Sequence, residues 1–334
     1  MIRDIIQGLH FAVPFYGIKI LEVFCLAETI LRQTLIMLIL MFIGFICSKT
    51  KIISNDANKE LSRFVLQIVN PVVIFMSYQT ELHDDLVRNL LITFLLSMLA
   101  FAVVIPAAYI IIRNKKERDT SIERFASIYS NCGFMGIPLI NAMFGMEGVF
   151  YLTAFITVFN LVVWTHGIIL ISGEKDFKQV IKFFYSPTII AIVLGIVTFF
   201  LQIRLPEIPY AALNYIKELN TPVAMIVSGV TMAGTDLRKL VKKAGVYRVC
   251  AVKLLVLPFI VSLVLSFLPV DEKVRLIVVV ASAAPPAAMC TLLSLKYGKN
   301  SIYASEIFTA GTILSVITLP IITMATEYLT KMVK

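Results

Sequence analysis

The chain has 334 residues, of which 59% are apolar and only 15% are charged. Such a composition excludes an ordinary soluble domain and predicts several apolar segments of about 20 residues, the length that crosses a bilayer. The formal net charge is +9, but the Lys and Arg residues stand in short clusters between apolar runs, which disfavours nucleic-acid binding. The expected fold class is therefore an all-α integral membrane protein in contact with the lipid bilayer.

The cysteines carry no metal or disulfide pattern. Five are present, and they are Cys25, Cys47, Cys132, Cys250 and Cys290. No CxxC or Cys/His spacing joins them, and thiols within apolar segments usually pack as small hydrophobic groups. We expect no metal and no cofactor.

The N-terminal extension, residues 1–29, lacks the pattern of a cleaved signal peptide, because charged residues and Pro14 interrupt its apolar run. We expect an amphipathic helix at the membrane interface. The alternative is a span across residues 5–25, which would raise the number of spans from ten to eleven.

Ten apolar runs of spanning length follow the extension. They are residues 30–48, 60–79, 89–112, 124–143, 148–171, 185–202, 214–234, 247–268, 274–295 and 301–328. The connecting loops on one side hold 18 Lys and Arg residues, against nine in the opposite loops and the termini. The positive-inside rule then predicts a multi-pass protein of the cytoplasmic membrane with both termini outside.

Prolines recur between the two halves of the chain at a nearly constant spacing. The pairs are Pro71 with Pro222, Pro106 with Pro258, and Pro138 with Pro285. The spacing predicts a first repeat over residues 30–171 and a second over residues 185–329, joined by a cytoplasmic linker at residues 172–184. Because each half holds five spans, an odd number, the second repeat must be inverted relative to the first.

The fourth and ninth runs contain residues that interrupt a membrane helix. The fourth reads SNCGFMGIPL from Ser130, and the ninth reads ASAAPPAAMC from Ala281. Proline removes a backbone donor and clashes with the preceding turn, so both helices should break near mid-span and line a protein-buried cavity. A broken helix exposes N–H groups with partial positive charge, and two such breaks that cross would bind a carboxylate.

The candidate substrate-binding residues come from these breaks and from the neighbouring fifth run. They are Asn131, Cys132, Gly133, Gly136, Pro138, Asn160, Ala284, Pro285, Pro286 and Ala287. Asn131 can donate from its amide to the same anion, and the alternative is a hydrogen bond to another helix. For Asn160, ordinary bonding between helices is an equal alternative.

Ionisable residues inside a membrane are candidates for function. Glu306 and Lys253 are the two that the sequence places clearly within spans. Lys253 is expected to snorkel to the surface. Glu306 is a candidate for coupling to H⁺ or Na⁺, and the alternative is a solvated carboxylate near the inner surface. His166 is a candidate proton carrier, and the alternative is a histidine with a structural role.

Three stretches make the similarity to a known family specific. They are NCGFMGIPLINAMFG in the fourth run, LSRFVLQIVNPVVIF in the second and PVAMIVSGVTMAG in the seventh. The chain resembles the auxin efflux carrier family, which includes the plant PIN-FORMED proteins and bacterial malate or malonate permeases. The long central loop of many plant members is replaced by a short stretch, and the Asp and Lys pair of some members is missing from the third run.

The resemblance implies a fold similar to bile-acid and sodium-proton antiporter-like carriers, with a scaffold, a transport domain and elevator motion. It implies that Asn131 and the backbone around Pro138, Pro285 and Pro286 contact the carboxylate of the substrate. It also implies that the first, second, sixth and seventh helices form the scaffold and the face of a homodimer.

The expected function is secondary transport of a small organic carboxylate, an organic anion or an auxin-like acid, by alternating access. The alternatives are a channel and a membrane receptor or scaffold without transport. An intramembrane enzyme is not expected, because the sequence has no HExxH, paired aspartates or nucleophile motif.

Overall fold

The structure, a computed structural model, describes residues 15–114, 118–173 and 185–333. Within these ranges the chain is helical apart from turns, and one isolated β-bridge joins Ser130 to Pro286. The helices are α1 (Phe15–Lys49), α2 (Asn55–Phe64), α3 (Asn70–Ser77), α4 (Asp84–Ile111), α5 (Thr120–Ile128), α6 (Ile137–Val162), α7 (Ile168–Ser172), α8 (Pro187–Phe200), α9 (Glu207–Glu218), α10 (Asn220–Ala233), α11 (Leu237–Leu240), α12 (Ala244–Ala251), α13 (Leu257–Ser266), α14 (Glu272–Ala283), α15 (Met289–Lys296) and α16 (Ser301–Val333).

Six helical stretches in the described part of the chain are long and apolar enough to cross a membrane. They are Ala27–Lys49, Asn55–Ser77, Asp84–Ile111, Cys132–Ser172, Ala244–Ser266 and Ser301–Val333. Each of the ten apolar runs of the sequence overlaps at least one helix. The prediction of an all-helical, multi-pass membrane protein is confirmed.

The first helix is longer than the sequence analysis predicts. Helix α1 runs from Phe15 to Lys49 without a break, so residues 15–29 continue directly into the first apolar run and do not form a separate helix. Residues 1–14 and 174–184, the rest of the N-terminal extension and most of the predicted linker, lie outside the described residues.

Short π-helical turns extend several of the spanning helices. One turn, Val65–Val69, joins α2 to α3 just before Pro71, and another, Val252–Val256, joins α12 to α13 just before Pro258. A proline inside a helix clashes with the carbonyl one turn earlier, and a wider turn relieves that clash. The chain can therefore pass these two prolines while it remains helical.

Gly145 separates the fourth apolar run from the fifth. It has φ 64° and ψ −160° inside α6, a backbone conformation that L-residues with a Cβ rarely adopt. A Cβ added at Gly145 would meet no atom within 4 Å. The turn therefore requires glycine for its backbone angles and not for lack of space.

Helices α1 and α10 approach each other closely enough for their backbones to touch. A Cβ added to Gly44 of α1 would overlap the carbonyl of Ile226, and one added to Gly229 of α10 would overlap the carbonyl of Met41. Small residues let helix backbones touch in this way inside membranes. A methionine-rich hydrophobic cluster surrounds the contact, and its members are Met37, Met41, Val65, Phe134, Met135, Ala224, Met225, Val227, Met232 and Phe308.

Candidate site where two interrupted helices meet

The two interruptions that the sequence predicts lie against each other. Helix α5 ends at Ile128 and is followed by non-helical residues 129–131, while α14 ends at Ala283 and is followed by non-helical residues 284–288. The backbone N–H of Asn131 donates to the carbonyl of Pro285 at 2.7 Å, and the N–H of Ala287 donates to the carbonyl of Tyr129 at 3.0 Å. The two breaks are therefore joined as a short antiparallel pair, which we call the crossing.

The crossing satisfies backbone groups that the broken helices leave open. Buried N–H and C=O groups must be paired inside an apolar interior, and a proline cannot contribute an N–H. Pro285 and Pro286 hold their segment outside the helix, and the carbonyl of Pro285 then accepts from the opposite break. Each interruption thus supplies a partner for the other.

The register of this pairing differs from the proline spacing. The antiparallel pairing sets Ser130 opposite Pro286, Tyr129 opposite Ala287 and Asn131 opposite Pro285. The central pair, Ser130 and Pro286, is 156 residues apart, whereas Pro138 and Pro285 are 147 residues apart. Pro138 lies beyond the break, just after the π-helical turn Cys132–Gly136, and the wider turn relieves the clash of its ring as it does before Pro71 and Pro258. Pro138 is therefore not the counterpart of Pro285 at the crossing.

Asn131 is the one candidate side chain with an unused donor at the crossing. The residue is only 7% exposed, and its Nδ2 atom has no hydrogen-bond partner in the described part of the chain. A buried donor without a partner costs about 1–3 kcal/mol, so such groups in native proteins call for an explanation. The next residues, Cys132–Gly136, form a π-helical turn that leads into α6.

The remaining candidates at the breaks supply backbone and packing. Cys132, Gly136, Pro138, Ala284, Pro285, Pro286 and Ala287 are all buried, and Gly133 is partly exposed. Helix α16 covers the crossing, because a Cβ added to Gly311 would lie 2.5 Å from Cδ of Pro286. The crossing is therefore enclosed by protein on that side.

Two asparagines that the candidate set leaves out lie next to the first break. A Cβ added to Gly133 would lie 3.3 Å from Nδ2 of Asn70, and Nδ2 of Asn220 donates to Oδ1 of Asn70 at 2.6 Å. The sequence carries a signal for this pair, since Asn70 stands one residue before Pro71 and Asn220 two residues before the matching Pro222.

Asn160 and His166 have local partners. The amide of Asn160 donates to the carbonyl of Ile156 at 2.8 Å, one turn back in its own helix. Nδ1 of His166 lies 2.8 Å from the hydroxyl of Tyr129, and its Nε2 lies 3.1 Å from the hydroxyl of Tyr109. Their predicted roles in binding and coupling remain predictions, and the contacts support the structural alternatives.

The expected solvated placement of Glu306 is wrong. Glu306 is 3% exposed, and its two carboxylate oxygens accept from Nζ of Lys243 at 2.6 and 2.7 Å. Lys243 stands 63 residues earlier in the sequence, so its proximity cannot be read from local spacing. The carboxylate is buried and is stabilised by an ion pair.

The expected snorkelling of Lys253 is also wrong. Lys253 is 2% exposed, and its Nζ donates to the carbonyl of Ser282 at 3.1 Å. Its side chain points between α5 and α14, where it lines a cavity with Ser127, and not toward the membrane surface. The polar carbonyl at the end of α14 gives the ammonium a partner that lipid would not.

Three further ionisable residues, Glu123, Arg275 and Glu327, are buried in the described part of the chain, contrary to the expectation that Glu306 and Lys253 are the only ones within spans. Glu123 is 1% exposed and accepts from Arg118, Arg248 and Tyr303. Arg275 is 1% exposed, and it donates to three backbone carbonyls and to a threonine hydroxyl, namely those of Leu265, Leu268, Val270 and Thr330.

Comparison with known proteins identifies the family to which this chain belongs. The profile of a family described as "Membrane transport protein" matches residues 29–323. An "Uncharacterized transporter" of Methanothermobacter thermautotrophicus is 26% identical over 303 residues, which are 88% of this chain and 96% of the relative. A "Putative malonate transporter" of Rhizobium meliloti is 22% identical over 290 residues, covering 84% and 90%. The chain therefore belongs to the membrane transport protein family, the auxin-efflux-like family that its sequence motifs indicate.

Proposed function

We propose that this protein is a secondary transporter of small organic carboxylates in the cell membrane and that it holds the carboxylate at the crossing. One observation carries the proposal, namely the buried Nδ2 of Asn131, which has a hydrogen to donate and no acceptor among the residues that the structure describes. Its position beside two interrupted helices matches the place where transporters with broken helices bind substrate.

The backbone around Asn131 favours a negative charge. The segment that begins at Cys132 and continues through α6 presents its N-terminal end at the break, and the first N–H groups of a helix have no intrahelical partner. These groups and the helix dipole attract anions. A carboxylate bound here would accept from the amide of Asn131 without needing a full positive charge in direct contact.

Malonate is the first substrate to test. The Rhizobium meliloti relative carries the description "Putative malonate transporter", and malonate is small enough for an enclosed site. An indole carboxylate serves as the auxin-like comparison.

We propose that the ten apolar runs form two inverted five-helix repeats and that transport follows an elevator motion. The methionine-rich cluster supports this, because it lies between α1 and α10 on one side and Met135 next to the break on the other. Methionine is unbranched and flexible, so a surface rich in it can repack when one part slides past another. The termini are proposed to face outward, and the first, second, sixth and seventh helices to form the face of a homodimer.

Uptake into proteoliposomes tests the function. We expect radiolabelled malonate to enter vesicles that contain the purified protein, with a rate that saturates as the malonate concentration rises. Uptake that rises linearly without saturation would indicate a channel. If no mono- or dicarboxylate binds or enters, the protein serves as a receptor or scaffold and the proposal fails.

A further inference from the structure

A buried ammonium group lies directly behind the crossing. Nζ of Lys253 donates to the carbonyl of Ser282, in the last turn of α14, at 3.1 Å. In the part of the chain that the structure describes, no carboxylate lies within ion-pair distance of Lys253. The buried carboxylates Glu123 and Glu306 bind other cations.

The ends of both interrupted helices line part of the space around this ammonium, and residues of α4 and α13 line the rest. Lys253 lines a small cavity together with Ser127, Ile128 and Ser282, and the cavity has room for about one water molecule. Ser127 and Ile128 form the end of α5, just as Ser282 lies at the end of α14. The Oγ atom of Ser127 is buried and has no hydrogen-bond partner among the described residues.

The ends of these helices carry partial negative charge. The last carbonyls of a helix lack intrahelical donors and form the negative end of its dipole. In transporters with broken helices, such carbonyls coordinate the coupling Na⁺ or H⁺. Here the ammonium of Lys253 occupies that position, attached to the chain itself.

Building on the proposed carboxylate transport, we propose that Lys253 is a positioning residue that replaces a bound inorganic cation, so that carboxylate binding at the crossing requires no Na⁺. Nζ of Lys253 bonds the carbonyl of Ser282, which stands three residues before Pro285 of the crossing. A buried charge without a counter-ion is unfavourable. A carboxylate at the crossing supplies the missing negative charge, so each charge stabilises the other across the paired backbone.

The same charge should exclude Na⁺ from the cavity. An ammonium that already bonds the carbonyl of Ser282 leaves room for about one water, and it repels a second cation at short distance. The replacement of Na⁺ by choline should therefore leave the affinity for malonate unchanged.

Calorimetric titration of the purified protein with malonate tests this inference. We expect equal affinities in sodium chloride and in choline chloride at the same ionic strength. Lys253→Met, which keeps the length but removes the charge, should weaken malonate binding at least about tenfold. The loss should be larger for malonate than for its singly charged monomethyl ester. Lys242→Met, at an exposed lysine, is the matched control and should bind as the unaltered protein does.

Three results would overturn the inference. They are malonate binding that requires Na⁺, unchanged affinity in Lys253→Met, and an equal loss for malonate and its monomethyl ester, which would indicate a packing role alone. If Lys253→Met does not fold, the comparison of sodium and choline on the unaltered protein decides. A protein that binds neither malonate nor another carboxylate in either salt would instead refute the proposed function.

Discussion

Glu123 and Asn131 are both buried polar residues, eight positions apart, yet their surroundings are opposite. The carboxylate of Glu123 accepts hydrogen bonds from Arg118, Arg248 and Tyr303, whereas Nδ2 of Asn131 has no partner within the described ranges. A fully bonded group ties helices together, and an unbonded donor is free to bind a ligand. The stretch that contains α5 is thus anchored at its start and open for recognition at its end.

The first and largest effect tests the anchored end. Glu123→Gln should lower the free energy of unfolding by about 3 kcal/mol, because it leaves two arginines without their buried carboxylate. Detergent-titration unfolding of the purified protein measures this change. Glu60→Gln, which removes a solvent-exposed pair with Arg63, is the control and should change stability little. Equal effects of the two substitutions would refute the anchoring role of Glu123.

The second effect tests the open end. Asn131→Ala should weaken malonate binding by about 1.5–3 kcal/mol, the worth of a hydrogen bond to a charged group, and the unfolding midpoint without ligand should not fall, because Nδ2 has no hydrogen bond to lose among the described residues. Asn214→Ala is the control, since the amide of Asn214 bonds Glu218 on its own helix, away from the candidate residues. A loss of stability without a loss of malonate affinity would show that Asn131, like Glu123, holds helices together and does not bind the substrate.

The third effect concerns how tightly the crossing is enclosed. Gly311→Ala should destabilise the protein by about 1–3 kcal/mol, because the new methyl group would press on the rigid ring of Pro286. Gly145→Ala is not a suitable comparison, since its positive φ adds backbone strain. Gly136→Ala is the better control, because its Cβ would lie 3.4 Å from Cβ of Cys132, an ordinary contact. Similar stabilities of both variants would show that the crossing is loosely packed.

The smallest effect distinguishes residues that stabilise the fold from residues that bind the substrate. Tyr129→Phe removes the hydroxyl that lies 2.8 Å from Nδ1 of His166 and should cost about 0.5–1.5 kcal/mol of stability. Malonate affinity should stay unchanged, because only the backbone of Tyr129 takes part in the crossing. Titration calorimetry and unfolding of the same sample separate the two quantities. A selective loss of affinity would place Tyr129 in the binding site.

The sequence predicts the positions of the breaks because their cause is local. Proline lacks an N–H, so Pro285 and Pro286 mark the second break directly. The glycines mark the first break only approximately, because Gly133 and Gly136 lie in the π-helical turn that follows residues 129–131. The offset of the pairing could not be predicted from proline spacing, since Pro138 follows a π-helical turn and stays within the helical segment. Hydrogen bonds between backbone groups set that register, and such bonds do not depend on which side chains the residues carry.

The buried charges could not be placed correctly for a related reason. Lys253 was expected at the surface because lysine is long and flexible, but the carbonyl that receives it belongs to a helix 29 residues later in the chain. Glu306 forms its ion pair with Lys243, which is 63 residues away in the sequence. Depth along a helix can be read from the sequence, whereas the partner that makes a buried charge acceptable depends on how distant helices pack.

The most direct test of the account is a distance between substrate and protein. Solid-state NMR can measure the separation between the carboxylate carbon of ¹³C-labelled malonate and the side-chain nitrogen of ¹⁵N-labelled asparagine in the reconstituted protein. The account predicts a separation of about 3.5–4 Å, that of a hydrogen-bonded amide and carboxylate, and the signal should vanish in Asn131→Ala. Bound malonate whose carboxylate shows no asparagine nitrogen within that range would contradict binding at the crossing.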